Sequence, residues 1–185
     1  MDDVGGNPMK TLSITVAAAT FLAWGASAGE QTMVPSAFDQ ESRIALVVFQ
    51  DLPGSSAILR GNYQEGLDQA QSALERRPRI HAVELAANIC AARVMLQRLE
   101  EANSSCEAAL AGRPPASAAF SRQQYRAVAH VNHGVAHLLQ GDSEFAVEEF
   151  SRARNLFPSL GVASSNRSMA ANMTRTPQVT IDETL

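Results

Sequence analysis

The chain predicts an all-α fold, a short stack of helical hairpins, and three observations carry that prediction. First, an 18-residue skeleton recurs. Residues 141–158 (GDSEFAVEEFSRARNLFP) set a glycine turn, then Ala146, Phe150 and Ala153, then a closing proline. Residues 61–78 place Gly66, Ala70 and Ala73 likewise, and residues 97–114 hold a weaker copy in Ala102, Cys106 and Ala109. Second, the closing prolines Pro78, Pro114 and Pro158 lie 36 and then 44 positions apart, the first close to a period of ~34 for paired-helix repeats and the second longer by an insertion. Third, the composition is 45% hydrophobic but only 5% aromatic, which suits closely packed helices better than a strand-rich core. At 185 residues there is room for one ordinary domain.

Taken in order, residues 1–28 have the pattern of a secretory signal peptide. Met9 and Lys10 precede an apolar run, and Ala26, Ser27 and Ala28 supply the small residues a signal peptidase reads. The run is shorter than the ~20 residues of a membrane span, so no stable span is expected after its removal. Residues 29–54 read as a linker with an extended segment. Within it Ile44–Phe49 (IALVVF) is β-prone and ends at the turn Asp51-Leu52-Pro53-Gly54. A lone strand cannot satisfy its own backbone, so this run must dock on something or be helical.

Residues 55–173 form the repeat domain. A short helical piece, Ser55–Arg60, precedes a helix carrying Tyr63, Gly66, Leu67, Ala70, Ala73 and Leu74, which Pro78 stops. The second hairpin pairs helices over Ala82–Leu96 and Glu100–Ala111. The third places one within Ala116–Leu139, a turn at Gln140-Gly141-Asp142, and another over Ser143–Phe157. The longer second proline interval puts an insertion in Pro114–Gln124. Residues 159–173 supply a C-terminal capping helix, which a solenoid needs at its open end. Residues 174–185 read as a flexible tail.

These residues together resemble the tetratricopeptide repeat (TPR) family over about residues 55–158. The third unit matches best, in Gly134, Gly141, Asp142, Ala146, Phe150, Ala153 and Pro158. The first matches in Gly61, Tyr63, Ala73 and Pro78, with a truncated first helix; the second has Cys90 and Cys106 at positions normally small and aromatic. The resemblance implies a right-handed superhelix of about three repeats. Its concave groove, lined by the first helix of each hairpin, would receive a peptide or partner helix. On this alignment Glu84, Ala87, Ala91, Val94, Val128, Val131, Val135 and Leu138 form that face. Relatives that clamp a terminal carboxylate use Lys, Arg and Asn there; only Asn132 falls near such a position, so that mode looks absent. Ile44–Phe49 is itself an apolar candidate to lie in the groove in cis. Gly134 is expected to face Ala146 where the two helices of the third unit cross.

Candidate chemistry is sparse. His130, His133 and His137 share one side of a helix, the spacing of a metal site, yet they occupy packing positions of the repeat and no acid shares their stretch. A metal-dependent factor or enzyme using them is therefore the alternative to a non-catalytic module. Cys90 and Cys106 are equally far from the turn at Gln97-Arg98. A disulfide and two buried thiols are both open readings. The adjacent acids Glu100-Glu101 and Glu148-Glu149 diverge around their helices and read as solvated faces. No nucleophile elbow, phosphate loop or zinc-binding cysteine set is present in the sequence, so neither catalytic residues nor a cofactor is assigned. Lys10 is the only lysine, which leaves the processed chain without lysine chemistry. The net charge of −4 offers no basic field for nucleic acid. The expected function is a protein-interaction adaptor of the bacterial periplasm or a secreted one, with a protein or peptide partner and with self-association through incompletely capped ends as a further option.

Overall fold

The computed structural model describes residues 13–19, 43–113 and 122–175, the first of these by its backbone alone. The predicted leader outside 13–19, most of the linker, the first eight residues of the insertion (114–121) and the tail from 176 lie outside the described residues. The chain is predominantly helical. The helices are α1 (Ser55–Leu59), α2 (Tyr63–Arg76), α3 (Ala82–Met95), α4 (Leu99–Ala111), α5 (Arg122–Leu139), α6 (Ser143–Leu156) and α7 (Gly161–Arg175). Two strands, β1 (Ser13–Ala19) and β2 (Arg43–Phe49), pair in parallel.

Each helix packs against the next in sequence, and α3, α5 and α7 also touch one another in turn. These three form an inner layer, with α2, α4 and α6 outside. Helical hairpins arise here because the same tight reversal is used three times. At Gly61, Gln97 and Gly141 the backbone enters the left-handed region (φ 88°, 59° and 88°). The residue after each reversal donates to a carbonyl five positions back: Asn62 to Ala57, Arg98 to Arg93, Asp142 to His137. Glycine adopts this φ without steric cost, whereas Gln97 carries some strain. Asp142 then caps α6 by accepting from the Phe145 N–H at 3.1 Å.

Small residues permit close helix crossings. A Cβ built on Gly66 would stand 2.5 Å from Ile58 of α1, and one on Gly134 would stand 2.6 Å from the Phe150 ring. The glycine of the third hairpin thus seats an aromatic ring, where the sequence suggested Ala146. The truncated first unit is α1, a helix of five residues. Cys90 and Cys106 are bonded, with Cα atoms 5.3 Å apart, and join α3 to α4 inside the core.

The run Ile44–Phe49 is a strand, not a helical turn, and both of its faces are covered. Ile44, Leu46 and Val48 enter one hydrophobic cluster with Ile58, Leu67, Val135 and Phe150. Val47 and Phe49 enter another with Val83, Ala87, Val128 and Val131. A buried strand of this kind needs a continuous apolar run, which IALVVF supplies. Fully burying side chains of this size stabilises by roughly 1.5–3 kcal/mol each, so β2 is an integral part of the core.

Candidate functional site: a strand clamped by three asparagines

β2 lies along the inner layer, against α3, α5 and α7. Its polar contact with them is made by one asparagine from each helix. Asn166 accepts from the Ala45 N–H (3.0 Å) and donates to the Ala45 carbonyl (2.7 Å). Asn132 does the same with Val47, at 2.8 Å for both bonds, and also donates to the Ala87 carbonyl at 3.2 Å. Asn88 repeats it with Phe49, again at 2.8 Å twice. A carboxamide has one acceptor and two donors, so it can satisfy both polar groups of one strand residue at once. Alternate residues of a strand direct their backbone groups to the same side, ~6.6–6.8 Å apart. Three helices in a row therefore engage Ala45, Val47 and Phe49 and skip the residues between.

All three asparagine side chains are fully buried. Their surroundings explain how the strand is held in one place. On α5, Val128 and Val131 precede Asn132 and pack with Val47 and Phe49, while Val135 follows it and packs with Ile44, Leu46 and Val48. On α3, Ala87 and Ala91 flank Asn88 in the same way. A one-residue slip of β2 would reverse every side chain between these two clusters, so the register is specified.

The eight residues expected on the concave face are all buried: Glu84, Ala87, Ala91, Val94, Val128, Val131, Val135 and Leu138. They do not form an open apolar groove, because β2 occupies it. Glu84, whose place in an apolar face is unusual, accepts from His81 Nδ1 at 3.1 Å and is hydrogen-bonded to Tyr125. Burial, then the charge and hydrogen bond of Glu84, push the Tyr125 hydroxyl up to about 12. Asn88 and Asn166 were not singled out from the sequence. Their signal was positional: Asn88 stands two residues before Cys90 and Asn132 two before Gly134, the same small-residue site of successive units, and Asn166 follows Asn132 by 34.

His130 and His133 meet on an acid that the sequence suggests is solvated, Glu149, and His137 joins them through His133. Glu149 is 1% exposed, whereas Glu148 is exposed. Glu149 Oε2 accepts from Nδ1 of His130 (2.8 Å) and of His133 (3.1 Å), and its Oε1 accepts from Arg152 at 2.7 Å. The Nε2 atoms of His133 and His137 are 3.1 Å apart. Burial by itself would raise the Glu149 pKa, but the hydrogen bonds from His130 and His133 hold it well below the carboxylate range. Burial, then the neighbouring His133, pushes His137 below its ordinary value. The network joins α5 to α6; Glu100, Glu101 and Glu148 are exposed as expected, and Glu149 alone departs from that expectation because α6 turns it toward α5. Among the described residues, no group of three or more His, Cys, Asp and Glu side chains is placed to hold a metal ion. No helix among them is long and apolar enough to cross a membrane.

No protein-family model matches this chain, and no curated protein sequence matches it.

Proposed function

We propose that the protein is a small exported interaction module of the TPR-like kind, a helical-hairpin solenoid of about three repeats. Its inner face handles extended polypeptide by the backbone and performs no chemistry of its own. The observation that supports this reading is the asparagine ladder. The second and third units, through α3 and α5, and the capping helix α7 each contribute a buried carboxamide to alternate residues of one strand. The clamp holds the chain's own strand β2 by its backbone, so extended polypeptide would be met along the part of β2 that the inner helices leave uncovered. The leader pattern of residues 1–28 supports a periplasmic or secreted location, and the Cys90–Cys106 bond fits an oxidising compartment.

The test is capture of partners under mild cross-linking in the exporting compartment, with hydrogen exchange to locate the protected region. Protection on α3, α5, α7 and β2 is the expected result. Protection confined to α2, α4 and α6 would refute an inner-face module.

A further inference from the structure

The asparagines satisfy only one edge of β2. Ala45, Val47 and Phe49 turn their N–H and C=O groups to the helices. In a strand the intervening residues Ile44, Leu46 and Val48 turn theirs the opposite way. That edge is paired in parallel with β1, in the register Ile14↔Ile44, Val16↔Leu46 and Ala18↔Val48. β1 spans residues 13–19, upstream of the small residues Ala26, Ser27 and Ala28 at which the leader pattern ends. Removal of residues 1–28 takes β1 away and leaves the outer edge of β2 without its partner strand. β2 cannot turn to compensate, because the ladder and two side-chain clusters fix it. An unpaired edge held rigidly in this way is a template for another strand.

We propose that, in the processed chain, the edge formed by Ile44, Leu46 and Val48 is a strand-acceptor slot for an extended segment of another protein. The occupant runs parallel to β2 over about seven residues and is uncharged, built from small and β-branched side chains. Its chemistry is that of the segment seated there, Ser-Ile-Thr-Val-Ala-Ala-Ala, which carries no charge over its seven residues. This inference rests on the reading of an exported inner-face module and adds the kind of partner and its place.

The chain is produced with its leader and purified from the exported compartment, and its N-terminus is fixed by intact mass. A synthetic peptide of residues 11–21 serves as the probe. Saturable binding is expected, together with slowed hydrogen exchange at the Leu46 and Val48 amides. In the parallel register, Thr15 and Ala17 of the probe direct their N–H groups to β2, while Ile14 and Val16 direct theirs away. N-methylation at Thr15 and Ala17 should weaken binding at least about tenfold, whereas N-methylation at Ile14 and Val16 should leave it unchanged. A mass that retains residues 13–19 would overturn the proposal, since β1 would then fill the slot permanently. So would absence of binding while the Val47 and Phe49 amides stay protected, a result that leaves the inner-face reading standing. Association of two copies that the probe does not displace would assign the edge to self-pairing instead and also overturn it. Unprotected Val47 and Phe49 amides would remove the ladder, and the inner-face reading with it.

Discussion

Replacing Asn132 with alanine tests the clamp at its centre. The side chain is fully buried and makes both of its bonds to Val47 at 2.8 Å. Alanine leaves the Val47 N–H and carbonyl unpaired inside the core, where each orphaned group costs ~1–3 kcal/mol. The two groups together cost about 2–6 kcal/mol, to which the removed volume adds, a large share of the ~5–15 kcal/mol that holds a domain folded. Asn132→Asp separates the two bonds. The carboxylate still accepts from the Val47 N–H but has nothing to donate to the carbonyl, and it buries a charge. Asp is therefore expected to be no milder than Ala. The control is Asn155→Ala on the exposed face of α6, expected to change stability by less than about 0.5 kcal/mol. Urea unfolding of the three variants by circular dichroism measures the differences, and exchange of the Val47 amide locates the damage. Asn132→Ala unfolding within 0.5 kcal/mol of Asn155→Ala would refute the ladder as a holding device.

Reduction of the Cys90–Cys106 bond, which closes a separation of 16 residues, should lower stability by about 3 kcal/mol, seen as a fall in thermal midpoint under reductant that a Cys90→Ala/Cys106→Ala variant does not show. Gly134→Ala presses a methyl group on the Phe150 ring and should cost ~1–3 kcal/mol, with part of the loss recovered in a Gly134→Ala/Phe150→Leu double variant; a strictly additive cycle would contradict the contact. Because the folded pKa of Glu149 is depressed, its contribution is fully present above the ordinary value of 4.5 and is lost as pH falls below it. His137, also depressed, resists protonation in the fold and so adds a loss that begins as pH falls through 6.5. Urea midpoints measured from pH 7 to pH 3 should therefore fall for the native chain, and Glu149→Gln should flatten the part below 4.5.

The helical hairpins were legible because their signals are local. Glycine turns, closing prolines and small residues at crossings each act within a few positions, and α2 to α7 begin and end within a few residues of where those signals place them, α5 excepted. Its expected range took in residues outside the described part. Glu149 was illegible for the opposite reason. Its neighbour Glu148 is exposed, so adjacency said nothing about which of the two α6 turns toward His130 and His133. The disulfide stayed open in the sequence because equal distance from a turn levels two residues but does not fix their Cα separation, which is 5.3 Å.

The ladder lies between these cases. An asparagine in mid-helix is a poor helix former and an unfavourable core residue, and each of the three taken singly reads as noise. Taken together, Asn88, Asn132 and Asn166 occupy one face of three inner helices, a coincidence with a physical demand behind it. A buried strand edge presents a donor and an acceptor every second residue, and on that side β2 is flanked by α3, α5 and α7 rather than by a second strand. Helix backbone groups are already committed to their own turns, so only side chains can answer. Asparagine is the shortest that offers both partners in one plane. The β-prone run Ile44–Phe49 and the buried asparagines therefore predict one another: with the run absent, three carboxamides would lose their strand partners in an apolar trough, Asn132 keeping only the Ala87 carbonyl, and with the asparagines absent, the run could not be buried there. Deleting 43–49 should for that reason destabilise the inner layer more than the lost apolar area accounts for, and the Asn88→Leu/Asn132→Leu/Asn166→Leu variant of the shortened chain should recover stability. Failure of that recovery in urea unfolding would mean that the asparagines answer to something other than the strand.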